Sequence, residues 1–234
     1  MTNSTRTPLL GAHRGATASA PENTLAAFEA AITQHADFIE TDIRRTVDGV
    51  LVLHHDPEIG ALKISTTTFA SLRIAGPNLA ALEDLVQLAK GKIGLDLELK
   101  EAGYGPQVAT LLRDHQLTPD AFVITSFLES AVRQFKESCR EAKCGLLVED
   151  RSWQNDLSPE TRLRRCRADF VAAEDSLVDP AFVRRLAAKH FPVWVWTVND
   201  PRRIATLLAT PGIEAIITDA LHLAQNAQTR ARSN

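Results

Sequence analysis

Cysteine is scarce in this chain: only Cys139, Cys144 and Cys166 occur among 234 residues. An odd count without metal-like pairing speaks against a disulfide framework and reads as reduced thiols in a cytoplasmic protein. Strong charge of either sign is also missing. A net charge of −3 argues against a general affinity for nucleic acid or an anionic membrane. Long apolar runs are absent as well. The stretch over residues 191–198 is among the longest, far short of the ~20 residues that span a bilayer. Residues 1–8 are polar and lack the apolar core of a secretion signal, so a soluble intracellular protein is expected. No repeat of fixed short period and no domain-sized linker divides the sequence.

What is present is alternation. Hydrophobic residues make up 44% and charged residues 24% of the chain, as in a globular protein with a substantial core. Short β-rich runs fall at residues 9–12, 38–43, 93–99, 122–125, 143–148, 170–173, 193–198 and 215–218. Stretches with helical spacing follow them, at 24–34, 79–89, 107–115, 128–138, 159–166, 180–190, 201–208 and from 221 onward. A further run, 50–53, follows across the turn dipeptide Asp48-Gly49 and reads as a hairpin-like excursion. Eight alternating units predict one (β/α)₈ barrel over residues 1–234, with an open doubly wound sheet as the rival and residues 226–234 as a flexible tail.

Strand parity sharpens this. In Gly94-Leu95-Asp96-Leu97-Glu98-Leu99-Lys100 the leucines and the charges alternate strictly. Successive strand side chains point to opposite faces, so if the leucines meet the helices, the charges face the barrel interior. The same parity pairs Glu40 with Asp42. Two strands would then aim Glu40, Asp42 and Glu98 at one place near their C-terminal ends, where such barrels keep their active sites.

Three converging carboxylates repel one another unless a cation compensates, and an all-oxygen set favours Mg²⁺ or Ca²⁺ over Zn²⁺. Arg14 and Lys100 would restore charge balance and attract a phosphate. His13, at the end of the first strand, and His55, at the end of the 50–53 run, can exchange protons near neutral pH. Together these parts suit metal-assisted cleavage of a small phosphodiester. Taken singly they mean less. A lone histidine is commonly structural, and Glu-x-Asp is usually a solvated strand face. His54 has the opposite parity to His55 and reads as structural. The basic residues of 162–167 read as a solvated helix face, and Trp194 and Trp196 can both be packing residues.

In combination, the residues resemble the glycerophosphodiester phosphodiesterase family. The matching motifs are His13-Arg14-Gly15, Pro21-Glu22-Asn23-Thr24 with Ala27-Phe28, Glu40-Thr41-Asp42, Thr46-Val47-Asp48-Gly49 and His55-Asp56. Further matches are Glu98-Leu99-Lys100, Ser126-Phe127, Trp196-Thr197-Val198-Asn199 and Thr218-Asp219. The resemblance implies a (β/α)₈ barrel that hydrolyses glycerophosphodiesters to an alcohol and glycerol 3-phosphate. It implies Glu40, Asp42 and Glu98 as metal ligands and His13 and His55 as the acid/base pair. It implies Arg14 and Lys100 as phosphate contacts and Trp196 as a pocket wall, with Glu22 and Asn23 nearby. One departure stands out. The insertion between His55-Asp56 and the Glu98 strand is short, and only Ser65-Thr66-Thr67-Thr68 matches the family's stretch there. A trimmed lobe would leave an open pocket, so a lysophospholipase D-like activity is one alternative. A non-catalytic barrel that holds a phosphorylated ligand is the other.

Overall fold

The computed structural model describes residues 7–149 and 159–233. Among these, eleven strands are β1 (Leu9–Ala12), β2 (Phe38–Arg45), β3 (Leu51–Leu53), β4 (Glu58–Ile59), β5 (Leu62–Lys63), β6 (Gly94–Leu99), β7 (Phe122–Ser126), β8 (Lys143–Val148), β9 (Phe170–Glu174), β10 (Val193–Trp196) and β11 (Ile213–Thr218). The helices are α1 (Leu25–Thr33), α2 (Phe69–Ala75), α3 (Leu82–Ala89), α4 (Gly105–Asp114), α5 (Glu129–Ser138), α6 (Pro159–Cys166), α7 (Pro180–Ala187), α8 (Pro201–Leu208) and α9 (Leu221–Ser233). Eight of the strands run parallel in the order β1-β11-β10-β9-β8-β7-β6-β2, and β2 also pairs with β1. That last pairing closes the sheet on itself, which decides for the barrel over the open sheet.

Local chemistry explains where the helices begin. Thr24 accepts a hydrogen bond from the Ala27 amide, Asp179 from Phe182 and Asp200 from Arg202. Such N-caps satisfy donors that a helix start leaves unpaired. Pro180 and Pro201 follow their caps at positions where no amide hydrogen is needed.

Two apolar layers hold the barrel. The larger lies between strands and helices and contains Leu95, Leu97 and Leu99, as parity predicts. The smaller fills the barrel axis with Phe38, Leu147, Phe170, Ala172, Trp194, Ala215 and Ile217. Trp194 stacks on Phe170 with centroids 4.5 Å apart and tilts against Phe38 at 5.0 Å. Glycine makes room for these rings. A Cβ at Gly145 would lie 2.3 Å from the Phe170 ring, and one at Gly11 would lie 2.3 Å from Phe38. Gly145→Ala is therefore expected to overpack the axis and cost about 1–3 kcal/mol. Urea unfolding checks this, and a wild-type midpoint would refute the packing account.

The segment after His55 is more structured than its sequence suggests. β3 pairs antiparallel with the end of β2, matching Ile43 to Leu53. Beyond it come the β4–β5 hairpin, a 3₁₀ turn at Ile64–Thr66 and α2. Val52, Ile64, Leu72 and Leu79 give this small lobe its own buried cluster. Asp48 ties it down by accepting hydrogen bonds from Thr46 Oγ1 and from the Phe69 amide.

Other differences concern ends of elements. β2 continues to Arg45, α3 starts at Leu82, and α9 runs from Leu221 to Ser233, through the described part of the 226–234 segment. There Gln228 Nε2 donates to Pro8 O at 2.9 Å. Asn234 and residues 1–6 lie outside the described residues. Cys139, Cys144 and Cys166 are free, and burial pushes the Cys144 thiol up to about 12 and Cys166 to about 11. Among the described residues no helix is long and apolar enough to cross a membrane.

Candidate active site

The C-terminal ends of the parallel strands gather nearly all the residues singled out in the sequence. One cavity of about 290 Å³ is lined by His13, Arg14, Glu40, His55, Glu98, Lys100 and Trp196, together with Phe127, Glu149 and others. Asp42 lies beside it, 1% exposed, with Glu40 and Glu98 also buried. β2 and β6 run in register, with Asp42 opposite Glu98. One carboxylate oxygen from each of Glu40, Asp42 and Glu98 lies within 4.8 Å of the other two. The parity argument thus places all three as expected.

The electrostatics of this triad are strained. Burial, with Asp42, Asp96 and Glu98 nearby, drives the Glu40 carboxyl well above its ordinary range, against a hydrogen bond from the Arg14 amide. Burial and Asp42 push Glu98 up to about 7, opposed by Lys100. Asp42 goes the other way. Burial raises it, but Lys100, a hydrogen bond from Asn23 and Arg14 outweigh that and hold it low. Lys100 Nζ sits 2.8 Å from Glu98 Oε1 and 3.2 Å from Asp42 Oδ1. Apart from this ion pair, Glu98 Oε1 is buried without a hydrogen bond. Crowded, buried, under-satisfied carboxylate oxygens are the donor set that a hard divalent cation fits.

Asp96, two residues earlier on β6, faces inward too but stays out of the triad. It accepts a 2.7 Å hydrogen bond from Thr125 Oγ1, and burial drives it to about 7.

Two histidines flank the carboxylates, each with its own acid. His13 Nδ1 lies 2.8 Å from Asp219 Oδ1, and His55 Nδ1 lies 2.8 Å from Asp56 Oδ1. The hydrogen bonds from the histidines hold both aspartates below their usual range. An ionised carboxylate only accepts, so each pair places an imidazole proton on Nδ1 and leaves Nε2 as the nitrogen available for proton exchange. His13 Nε2 is 3.9 Å from Glu40 Oε2. Asp219 is braced in turn by Asn199, whose Nδ2 donates to Asp219 Oδ2 at 2.8 Å and whose Oδ1 accepts from the Asp219 amide. His54, as parity suggested, serves structure: its Nε2 meets the Glu58 carbonyl at 3.1 Å.

The turn after β1 is shaped for this purpose. Arg14 and Asn23 adopt φ of 54° and 55°, uncommon for side-chain-bearing residues, and Gly15 adopts 90°. A Cβ at Gly15 would lie 2.9 Å from the Ala27 carbonyl carbon, so only glycine fits there. This geometry turns the Arg14 amide onto Glu40 Oε2 at 3.0 Å. Arg14 Nη1 is held by Glu22, while its buried Nε has no hydrogen-bond partner and lies 3.4 Å from Asp42 Oδ2. Asn23 donates to Asp42 Oδ2 at 2.9 Å and accepts from Thr41 Oγ1 at 2.6 Å. At the far side, Trp196 stands edge-on to Phe127 with centroids 5.6 Å apart, and its Nε1 donates to the Ala172 carbonyl. Trp194, by contrast, belongs to the barrel floor.

Sequence reasoning assigned no role to Asp219, Asp56, Asn199 or Glu149. The first two were visible as Thr-Asp and His-Asp pairs at strand ends, but nothing in the chain order tells that Asp219 meets His13.

A closed (β/α)₈ barrel with a buried acidic triad, two acid-bound histidines and two cations at its mouth is the frame of a phosphoric ester hydrolase. Comparison with known proteins narrows the class. The family model described as the glycerophosphoryl diester phosphodiesterase family matches residues 13–94 and 92–223, and the chain belongs to that family of phosphoric diester hydrolases. A Mycobacterium tuberculosis protein named probable glycerophosphodiester phosphodiesterase 2 is 30% identical, over 91% of this chain and 87% of its own length. An Oleispira antarctica phosphodiesterase, solved in complex with the product sn-glycerol-3-phosphate, superposes with a TM-score of 0.80 at 26% identity, covering 94% of this chain and 96% of that one. A Parabacteroides distasonis glycerophosphodiester phosphodiesterase has the same fold, with a TM-score of 0.83 at 24% identity, covering 97% of this chain and 99% of that one.

Proposed function

We propose that this chain hydrolyses glycerophosphodiesters to an alcohol and glycerol 3-phosphate, with His13 and His55 sharing the proton transfers. The observation that carries the reading is the pairing of each histidine with its own aspartate beside the Glu40, Asp42 and Glu98 triad. The same product name attached to the Oleispira antarctica phosphodiesterase supports it. A Mg²⁺ or Ca²⁺ ion held by those three carboxylates would polarise a phosphoryl oxygen and orient the ester. The chain's own residues do the rest. Arg14 offers its unpartnered Nε–H, and Lys100 its ammonium, to the remaining phosphate oxygens. One unprotonated Nε2 removes a proton from the attacking hydroxyl or water. The other histidine, protonated, delivers a proton to the departing alkoxide. Trp196 and Phe127 wall the substrate against bulk water. The scarcity of cysteine supports action in the cytoplasm.

Lysophospholipids are the second substrate class, reached if the rim admits an acyl chain. One panel separates the two: glycerophosphodiesters and lysophosphatidylcholine, each with Mg²⁺, Ca²⁺ or neither. Metal-dependent release of glycerol 3-phosphate is expected. Faster turnover of lysophosphatidylcholine would reassign the substrate, and no cleavage of any diester would leave a binding barrel.

A further inference from the structure

Arg44 has no counterpart in the reaction described so far, yet it is a buried cation, with a side chain 10% exposed. It follows Glu40 and Asp42 on the same face of β2, one step higher, above the barrel rim. Its guanidinium donates twice to one acceptor, the main-chain carbonyl of His55: Nε at 3.0 Å and Nη2 at 2.6 Å. Its Nη1 pairs with Glu101. Glu101 directly follows Lys100, and its amide donates to Tyr104 Oη, which donates to the Ile43 carbonyl at 2.5 Å. The end of β2, the His55 turn and the turn after Lys100 are thereby pinned to one another.

His55 needs such an anchor. Among the described residues its ring hydrogen-bonds only to Asp56, the next residue, whose side chain is 73% exposed and belongs to the same turn. A hydrogen bond between neighbours orients the ring relative to the turn, not relative to the barrel. His54 N to Asp42 O, at 3.0 Å, is the main-chain tie just before it. We propose that Arg44 is a positioning residue for His55: its fork fixes the His55 main chain, and so places the ring across the cavity from His13. The proposal rests on the acid/base reading of His55. Arginine is needed because the planar fork presents two donors to one carbonyl and a third to Glu101, where lysine supplies a single mobile centre.

The test is a double-mutant cycle. Arg44→Ala is expected to lower kcat by about 10–100-fold with little change in KM, as for a displaced reacting group. Arg44→Lys should recover part of the loss. In a His55→Ala background, Arg44→Ala should cost nothing further, because the residue it places is gone. Amide hydrogen exchange across residues 54–58, read by mass spectrometry, should accelerate in Arg44→Ala while exchange in β9 and β10 stays at the wild-type rate. Wild-type kcat in Arg44→Ala, unchanged exchange at 54–58, or a full multiplicative loss in the double variant each overturns the proposal. Faster exchange in β9 and β10 as well would mark a general loss of fold and count against it too. A wild-type protein that cleaves no diester overturns the hydrolase reading by itself, and the exchange comparison still decides whether Arg44 anchors the turn.

Discussion

His13→Ala is expected to lower kcat by about 10²–10⁴-fold while the protein melts near the wild-type temperature. The ring is oriented by Asp219, itself braced by Asn199, and lines the cavity, so its loss is expected to remove chemistry and little packing. His55→Ala should cost a comparable factor. The two losses should not multiply, since a reaction that has lost its base gains little from a well-placed acid. Asp219→Asn gives an intermediate loss: the amide keeps the shape but not the charge that fixes the proton on Nδ1. Turnover of glycerophosphocholine under saturating metal, with melting curves recorded in parallel, measures all four variants. Wild-type kcat in His13→Ala would remove it from the acid/base pair.

Metal removal carries the second large effect, and its size should depend on pH. The Glu98 and Asp96 carboxyls sit at about 7, and Glu40 lies well above the ordinary range. A carboxyl raised in the folded state stabilises the fold below its unfolded value, near ~4, and that contribution is lost as pH rises through the folded value. The metal-free protein should therefore lose stability between about pH 4 and 7, on the order of a few kcal/mol. Asp42, held low, acts in the opposite sense, but only in acid below that window. A divalent ion replaces the missing protons. At about 100 times its Kd it contributes about 2.7 kcal/mol, or roughly 5–10 °C in Tm for a chain of this size. The shift should be full at pH 8 and fade by pH 5, where protons compete for the same oxygens. Glu98→Gln should stabilise the metal-free protein at pH 8 and abolish both the metal response and the activity. Melting curves with EDTA, Mg²⁺ or Ca²⁺ at each pH provide the check, and a Tm indifferent to all three at pH 8 would refute the triad as a metal site.

Much of this was legible in the sequence because strands have a period of two. Once Leu95, Leu97 and Leu99 are assigned to the helix side, Glu98 must face inward, and the same rule delivers Glu40 and Asp42. What stayed hidden depends on register and on strand ends. Ending the second strand at Ile43 conceals Arg44, because parity says nothing beyond the last paired residue, and β2 in fact runs to Arg45. Asp219 is 206 positions from His13, and only barrel closure brings them together. The lobe at 58–75 was missed for a different reason. Its strands are two residues long and its helix seven, too short for any periodicity to show, and its order comes from Ile64 and Leu72 packing on Val52.

The His13–Asp219 contact also sets a timetable. β1 leaves the ribosome well before β11, and His13 N bonds to Thr218 O as well as its ring to Asp219. Contacts this distant in sequence form late, after the cost of closing the chain has been met. Until β11 docks, His13 lacks the aspartate that orients its ring. The growing polypeptide thus carries every carboxylate of the triad long before His13 meets its aspartate, and the His13–Asp219 pair is completed by the same event that seals the barrel.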